Sequence, residues 1–74
     1  MSKDINRLKV VLAEKKKTNR WLASKLGKDE STISKWCSNK VQPNLEQLEL
    51  IANALNTNVA SLLSDSFING YKVE

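Results

Sequence analysis

Glu30, Ser31, Thr32, Ser34 and Lys35 set five hydrogen-bonding side chains around Ile33 and just ahead of Trp36. On a helix, Ile33 and Trp36 lie three apart on one face and turn inward, leaving the polar groups outside with Thr32 at the margin. Such groups recognise rather than react. An ammonium such as that of Lys35 donates to guanine O6 and N7, a carboxylate such as Glu30 accepts from cytosine N4, and hydroxyls serve several bases. Catalytic chemistry has little to work with here. The chain has no histidine, and it carries no glycine-rich phosphate loop or paired acids, so no enzyme is expected. Cys37 is the single cysteine, which excludes an intramolecular disulfide and a zinc cluster, so neither metal nor cofactor is expected. It is read as a small packed hydrophobe rather than a redox sensor.

The elements that position these residues follow from spacing. Ile5, Leu8, Val11 and Leu12 recur at helical intervals, so residues 3–16 are expected to form a first helix, ended by Lys15-Lys16-Lys17 where cations suit a C-terminus. Thr18 caps a second helix that turns Leu22, Ala23 and Leu26 inward, and Gly27 supplies the positive φ at its end. Asp29 caps a third helix running to about Cys37. Two helices crossing over so short a turn need a small residue where they approach, and Ala23 provides it; the spacing of Ala23, Gly27 and Ile33 is that of a helix-turn-helix. A loop follows over residues 38–43, with Asn39 as a left-handed residue where glycine is absent. Asn44 and Gln47 form a capping box for a fourth helix whose buried stripe is Leu45, Leu48, Ile51, Ala52 and Leu55. Asn58 caps a short fifth helix bearing Val59, Leu62 and Leu63.

The fold class expected is therefore all-α, a compact five-helix domain over residues 1–65. Residues 66–74 form a C-terminal tail in which Asn69-Gly70 sits between two β-prone runs, a hairpin or dimerisation signal. At 74 residues the chain buries only about 60% of its unfolded surface, so a dimer partner would help its thin core. Phe67, Ile68, Tyr71 and Val73, with the fifth helix, are the expected dimer surface. Charge is unevenly placed. Residues 1–40 carry eleven Lys or Arg against four Asp or Glu, net +7, whereas residues 41–74 carry one against four, net −3. A basic half suits a polyanion and leaves the other half for something else. No apolar run is long enough to span a membrane and no signal-peptide core leads the chain, so a cytoplasmic protein is expected. Trp21 is expected to stack over the first helix or the tail as satellite core, a partner surface being the alternative.

Together with Ser31-Thr32-Ile33-Ser34-Lys35-Trp36, Pro43 and the helix Leu45-Glu46-Gln47-Leu48-Glu49-Leu50-Ile51-Ala52-Asn53-Ala54-Leu55, this constellation resembles the Cro/phage-repressor type of helix-turn-helix proteins, the Xre family, over roughly residues 5–64. The resemblance implies a repressor-like domain that binds double-stranded DNA sequence-specifically, usually as a homodimer, in transcriptional control. The recognition helix, about 30–37, would lie in the major groove with Glu30, Ser31, Thr32, Ser34 and Lys35 reading bases. Phosphates would be met by Asn19, Arg20, Lys28, Ser38, Asn39 and Lys40, with Gln42 beside them. An interaction module or antitoxin-like protein with a protein partner is the alternative use of the same fold. Many members pair an Arg late in helix one with a Glu after the Trp of helix three. Leu12 and Cys37 stand there in this chain and are expected to touch, since replacing only one partner would strand a charge at about 3–5 kcal/mol. Members also commonly have Gln where this chain has Asn19, and Asn-Gly where it has Ser38-Asn39.

Overall fold

The computed structural model describes residues 5–64. Four α-helices, α1 (Leu8–Glu14), α2 (Asn19–Leu26), α3 (Glu30–Cys37) and α4 (Leu45–Ala54), precede a single 3-10 turn at Val59–Leu62. One side of each helix closes on a shared core: Leu8, Val11 and Leu12 from α1, Leu22 and Ala23 from α2, Ile33 and Trp36 from α3, then Ile51, Ala52, Leu55 and Leu62. The contact between α2 and α3 is the most extensive between elements, and buried Ala23 is the small residue on which it depends. Among the described residues there is no strand, only an isolated antiparallel bridge between Asn6 and Leu63. No described helix is long and apolar enough to cross a membrane.

Every α-helix stops in the same way. Lys16, Gly27, Asn39 and Asn56 all take left-handed φ values, 59°, 67°, 62° and 57°. The amide after each donates back five residues: Lys17 to Leu12, Lys28 to Ala23, Lys40 to Lys35 and Thr57 to Ala52, at 2.9, 2.9, 3.0 and 2.8 Å. These are Schellman ends, which satisfy carbonyls the helix leaves open. Glycine takes that conformation freely and asparagine tolerates it; Lys16 carries a steric cost of roughly 1–2 kcal/mol. The starts are capped as their sequences suggest at three places. Thr18 Oγ1 accepts from the Trp21 amide, Asn44 and Gln47 complete both bonds of a capping box, and Asn58 Oδ1 accepts from the Ser61 amide.

Several expectations are corrected. Helix α1 begins at Leu8 rather than residue 3, because Asn6 draws the preceding backbone into an extended path. The fifth helix is one 3-10 turn, since Leu63 must extend at once to bridge Asn6. Asp29 holds the cap position of α3 but makes no side-chain cap bond; its carbonyl takes the Thr32 and Ile33 amides instead. Leu45 is not buried, at 66% exposure. Burial rises along the α4 stripe from Leu45 through half-buried Leu48 to fully buried Ile51, so the first turn of α4 overhangs the core. The expected hairpin and the tail's apolar residues lie outside the described residues.

Asn6 is the buried polar residue among those described, 3% exposed, and it is fully bonded. Its Nδ2 donates to the Trp36 carbonyl at 2.9 Å and to Gln42 Oε1 at 2.8 Å, while its Oδ1 accepts from the Leu8 amide at 3.0 Å. Asn39 Oδ1 accepts from the Ile5 and Asn6 amides, both at 2.9 Å, and from Gln42 Nε2 at 3.0 Å. Asn39 Nδ2 returns a bond to the Asn6 carbonyl at 3.1 Å. Truncating Asn6 would leave a buried carbonyl and two amides short of partners, each orphaned group costing about 1–3 kcal/mol. Asn6→Ala is expected to lower the unfolding free energy by about 2–4 kcal/mol, read from urea titration. A loss below about 0.5 kcal/mol, the range of an ordinary surface change, would refute the structural role given to this network.

Candidate nucleic-acid interface

Helix α3 sorts its side chains as the spacing requires. Ile33 and Trp36 are 0% and 2% exposed, whereas Glu30, Ser31, Ser34 and Lys35 are exposed and Thr32 is half-buried. Lys35 and Glu30 enter no ion pair among the described residues, where Arg7 and Glu14, at 3.8 Å, form the one that occurs. The outward face of α3 thus offers three hydroxyls and, unpaired among the described residues, a carboxylate and an ammonium. Among the described residues, no side-chain hydrogen bond or ion pair holds these groups. What is fixed is the helix, by its buried face.

The residues expected around it fall into two groups. Arg20, Lys28 and Lys40 are exposed. Lys28 and Lys40 each immediately follow a left-handed residue, and both backbones are tied down by the Schellman bonds. Ser38 Oγ donates to the Lys35 carbonyl at 3.1 Å at the end of α3. Asn39 and Gln42 are placed otherwise than expected. Their amides turn into the protein and bind Asn6 and each other, and so they shape the loop that carries Lys40.

Asn19 opens α2 half-buried, and its Oδ1 accepts from the Cys37 thiol at 3.4 Å. This contact joins the start of α2 to the end of α3. A cleft of about 260 Å³ opens beside it, lined by Lys9, Asn19, Ser34, Cys37 and Ser38. Lys9 was not foreseen from sequence; its place one turn before Leu12 on α1 was the available signal. Leu12 is buried in the core and Cys37 packs against that same core. Trp21 also packs against the core, with Lys17 Nζ 4.6 Å and Lys25 Nζ 5.7 Å from its ring centre. Cations over an aromatic face at such distances are held by its quadrupole, and the i±4 spacing of Lys17, Trp21 and Lys25 was the sequence signal for it.

Comparison with known proteins agrees with this geometry. A helix-turn-helix family model matches residues 8–62. The chain is similar to the protein in the "Crystal structure of a putative DNA-binding protein from Bacteroides fragilis", with 57% sequence identity and a TM-score of 0.80. The similarity covers 81% of this chain and 97% of that one. No curated protein matches the chain.

Cys37 gives this region a pH signature. Burial pushes its thiol up from the ordinary range, and the nearby Lys9 ammonium only partly opposes that. The folded state therefore favours the neutral thiol. That stability is complete below the unfolded thiol's pKa, about 8.5, and is lost as pH rises past it, because the unfolded chain ionises first. Urea midpoints followed from about pH 7 to pH 9.5 should fall more steeply for the wild type than for Cys37→Ala. Parallel curves would show that the thiol is not held neutral by folding.

Proposed function

The chain belongs to the helix-turn-helix family, and we propose that it binds double-stranded DNA sequence-specifically as a small transcriptional repressor of the Cro/phage-repressor (Xre) type. The observation that carries this reading is the division of α3: Ile33 and Trp36 buried, Glu30, Ser31, Ser34 and Lys35 outward. A helix so held can lie in the major groove with its polar side against base edges. Lys35 donates to guanine, Glu30 accepts from cytosine N4, and Ser31, Thr32 and Ser34 supply adaptable hydroxyls. A carboxylate in a phosphate-lined groove is unfavourable unless it meets a donor, so Glu30 discriminates by repulsion as well as attraction. Asn19, Arg20, Lys28, Ser38 and Lys40 surround that face and bind phosphates, fixing register. Asn39 serves by holding the loop that bears Lys40.

A repressor of this size acts in the cytoplasm as a homodimer, placing two recognition helices about one DNA turn, ~34 Å, apart. The apolar residues Phe67, Ile68, Tyr71 and Val73 provide its pairing area. Selection of bound sites from a random duplex library at about 150 mM salt should enrich an inverted repeat. If nothing is enriched and binding is weak and salt-sensitive, the fold is serving a protein partner instead. On the selected site, Lys35→Ala should cost about 1–3 kcal/mol and relax one base position. Lys40→Ala should weaken all sequences alike. Equal losses from Lys35→Ala on specific and mixed-sequence DNA would end its role in readout. Ending the chain after Ser64 should abolish the dimer mass and, with it, preference for the repeat. An unchanged dimer would remove the tail from the interface.

A further inference from the structure

Two surface patches contain none of the residues assigned to DNA, and their chemistries are complementary. The first is on α2. Trp21 is half-buried against the core, and the Lys17 and Lys25 ammoniums stand over its ring. The second is the outward face of α4. Leu45 and Leu50 are 66% and 50% exposed, and Glu46 and Glu49 beside them are exposed as well. Leu45 lies four residues before Glu49, and Glu46 four before Leu50, so one helix face sets each leucine next to a carboxylate. We propose that this face of α4 docks a second copy of the chain, which it receives through that copy's Lys17, Trp21 and Lys25.

Charge complementarity chooses the occupant. Within one molecule the two patches do not pair: Arg7 with Glu14 is the one ion pair among the described residues, so Glu46, Glu49, Lys17 and Lys25 lack an oppositely charged partner there. Isolated exposed leucines are ordinary. Two on one helical face, each beside an unpaired carboxylate, suit a partner that is apolar and cationic together. The α2 patch of this same chain is such a partner: the indole offers flat apolar area to the leucines, and the ammoniums on either side of it meet the carboxylates. Nucleic acid and acidic proteins are disfavoured, because Glu46 and Glu49 repel them. The contact is heterologous, each copy giving one patch and receiving with the other, so it extends from copy to copy rather than closing after two. Exposed ion pairs add little by themselves, and the contact is accordingly weak in dilute solution. Copies brought side by side on a common scaffold meet at raised effective concentration and make it readily.

Sedimentation equilibrium of the full chain, without DNA, tests the pairing. At protein concentrations approaching about 1 mM, where weak contacts register, and at about 50 mM salt, the average mass should climb past that of a dimer without levelling. At about 1 M salt, where charges are screened within ~3 Å, that rise should be lost. Glu46→Lys with Glu49→Lys, and separately Lys17→Glu with Lys25→Glu, should each abolish the rise, whereas an equimolar mixture of the two double variants should regain it. Adding Leu50→Ser to the first variant should weaken the regained association roughly 3- to 10-fold, which attraction between oppositely charged proteins alone would not produce. All five positions are exposed, and circular dichroism melting would verify that each variant folds; Glu49→Lys and Lys25→Glu alone replace any double variant that does not. A wild-type mass with no salt-sensitive rise overturns the proposal and leaves the α4 face to a cationic partner other than this chain. A mixture that regains nothing, or a regain indifferent to Leu50→Ser, overturns it equally. The DNA-binding reading stands or falls by site selection, apart from these outcomes.

Discussion

Three amides tie the two ends of the described chain to the end of α3. Asn39 and Gln42 lie 33 and 36 residues from Asn6 in sequence, yet the three meet, and both protons of Asn6 Nδ2 and its Oδ1 are bonded. A buried amide left half-bonded is costly, whereas a fully bonded one rigidifies what it joins. This network joins a good deal. The Asn6 backbone bridges Leu63, the Arg7 amide donates to the Leu62 carbonyl at 2.9 Å, and the Ser64 amide donates to Ile5 at 2.8 Å. The segment before α1 is thereby clamped between the loop after α3 and the strand-like exit from the 3-10 turn. In so small a domain, whose apolar core is thin, such a clamp does what extra core would do elsewhere.

The consequence reaches the outward face of α3. A helix of eight residues makes little stability of its own, and its side chains can be aimed only if both ends are held. At the front, Gly27 turns the chain between α2 and α3. At the back, Asn39 in the left-handed conformation ends α3 while its side chain grips the backbone before α1. Between them Ile33 and Trp36 anchor the buried stripe. Side chains that bind with precision must sit within about half an ångström of their working positions, which calls for rigid elements with a supporting shell of this kind. Asn39 illustrates how one residue fills two needs: glycine would accept its φ more readily, but only an amide completes the network.

Local signals carried much of this fold and left out its long-range part. Thr18, Gly27, Asn39, Asn44 with Gln47, and Asn58 are legible because a cap or a left-handed end is decided within a few residues. Ile33 and Trp36 are legible because helical periodicity marks a buried face. Asn6 was not, because its partners are distant in sequence and a polar residue within an apolar-periodic run reads as the solvated side of a helix. The same omission extended α1 back to residue 3. Lys16 was missed because lysine does not announce a positive φ, and Asn56 because an asparagine beside other turn-forming residues serves equally well in a cap or turn. Leu45 was misjudged for another reason: periodicity gives the direction of a side chain but not whether the core extends that far along the helix. At the site, the outward set on α3 followed from the inward one, whereas the inward turn of Asn39 and Gln42 depended on Asn6 and was hidden with it.

The pair at positions 12 and 37 shows how a neutral solution alters what the surrounding residues can do. Where the resemblance to the Xre family implies an arginine against a glutamate, this chain has Leu12 within the core and Cys37 packed against that core. A carboxylate at 37 would have drawn Lys9 and the Asn19 amide to itself, since a half-buried charge needs donors. A protonated thiol makes a weaker demand: it is itself the donor, it takes only Asn19 Oδ1, and it adds no negative charge. With no charge pair at these positions, the Lys9 ammonium stays exposed and outside any ion pair among the described residues. In a domain whose first forty residues carry net +7, a neutral pair here adds no negative charge beside the exposed Lys9. The segment before α1 and the loop after α3 are joined instead through Asn6 and Asn39, whose side chains are neutral.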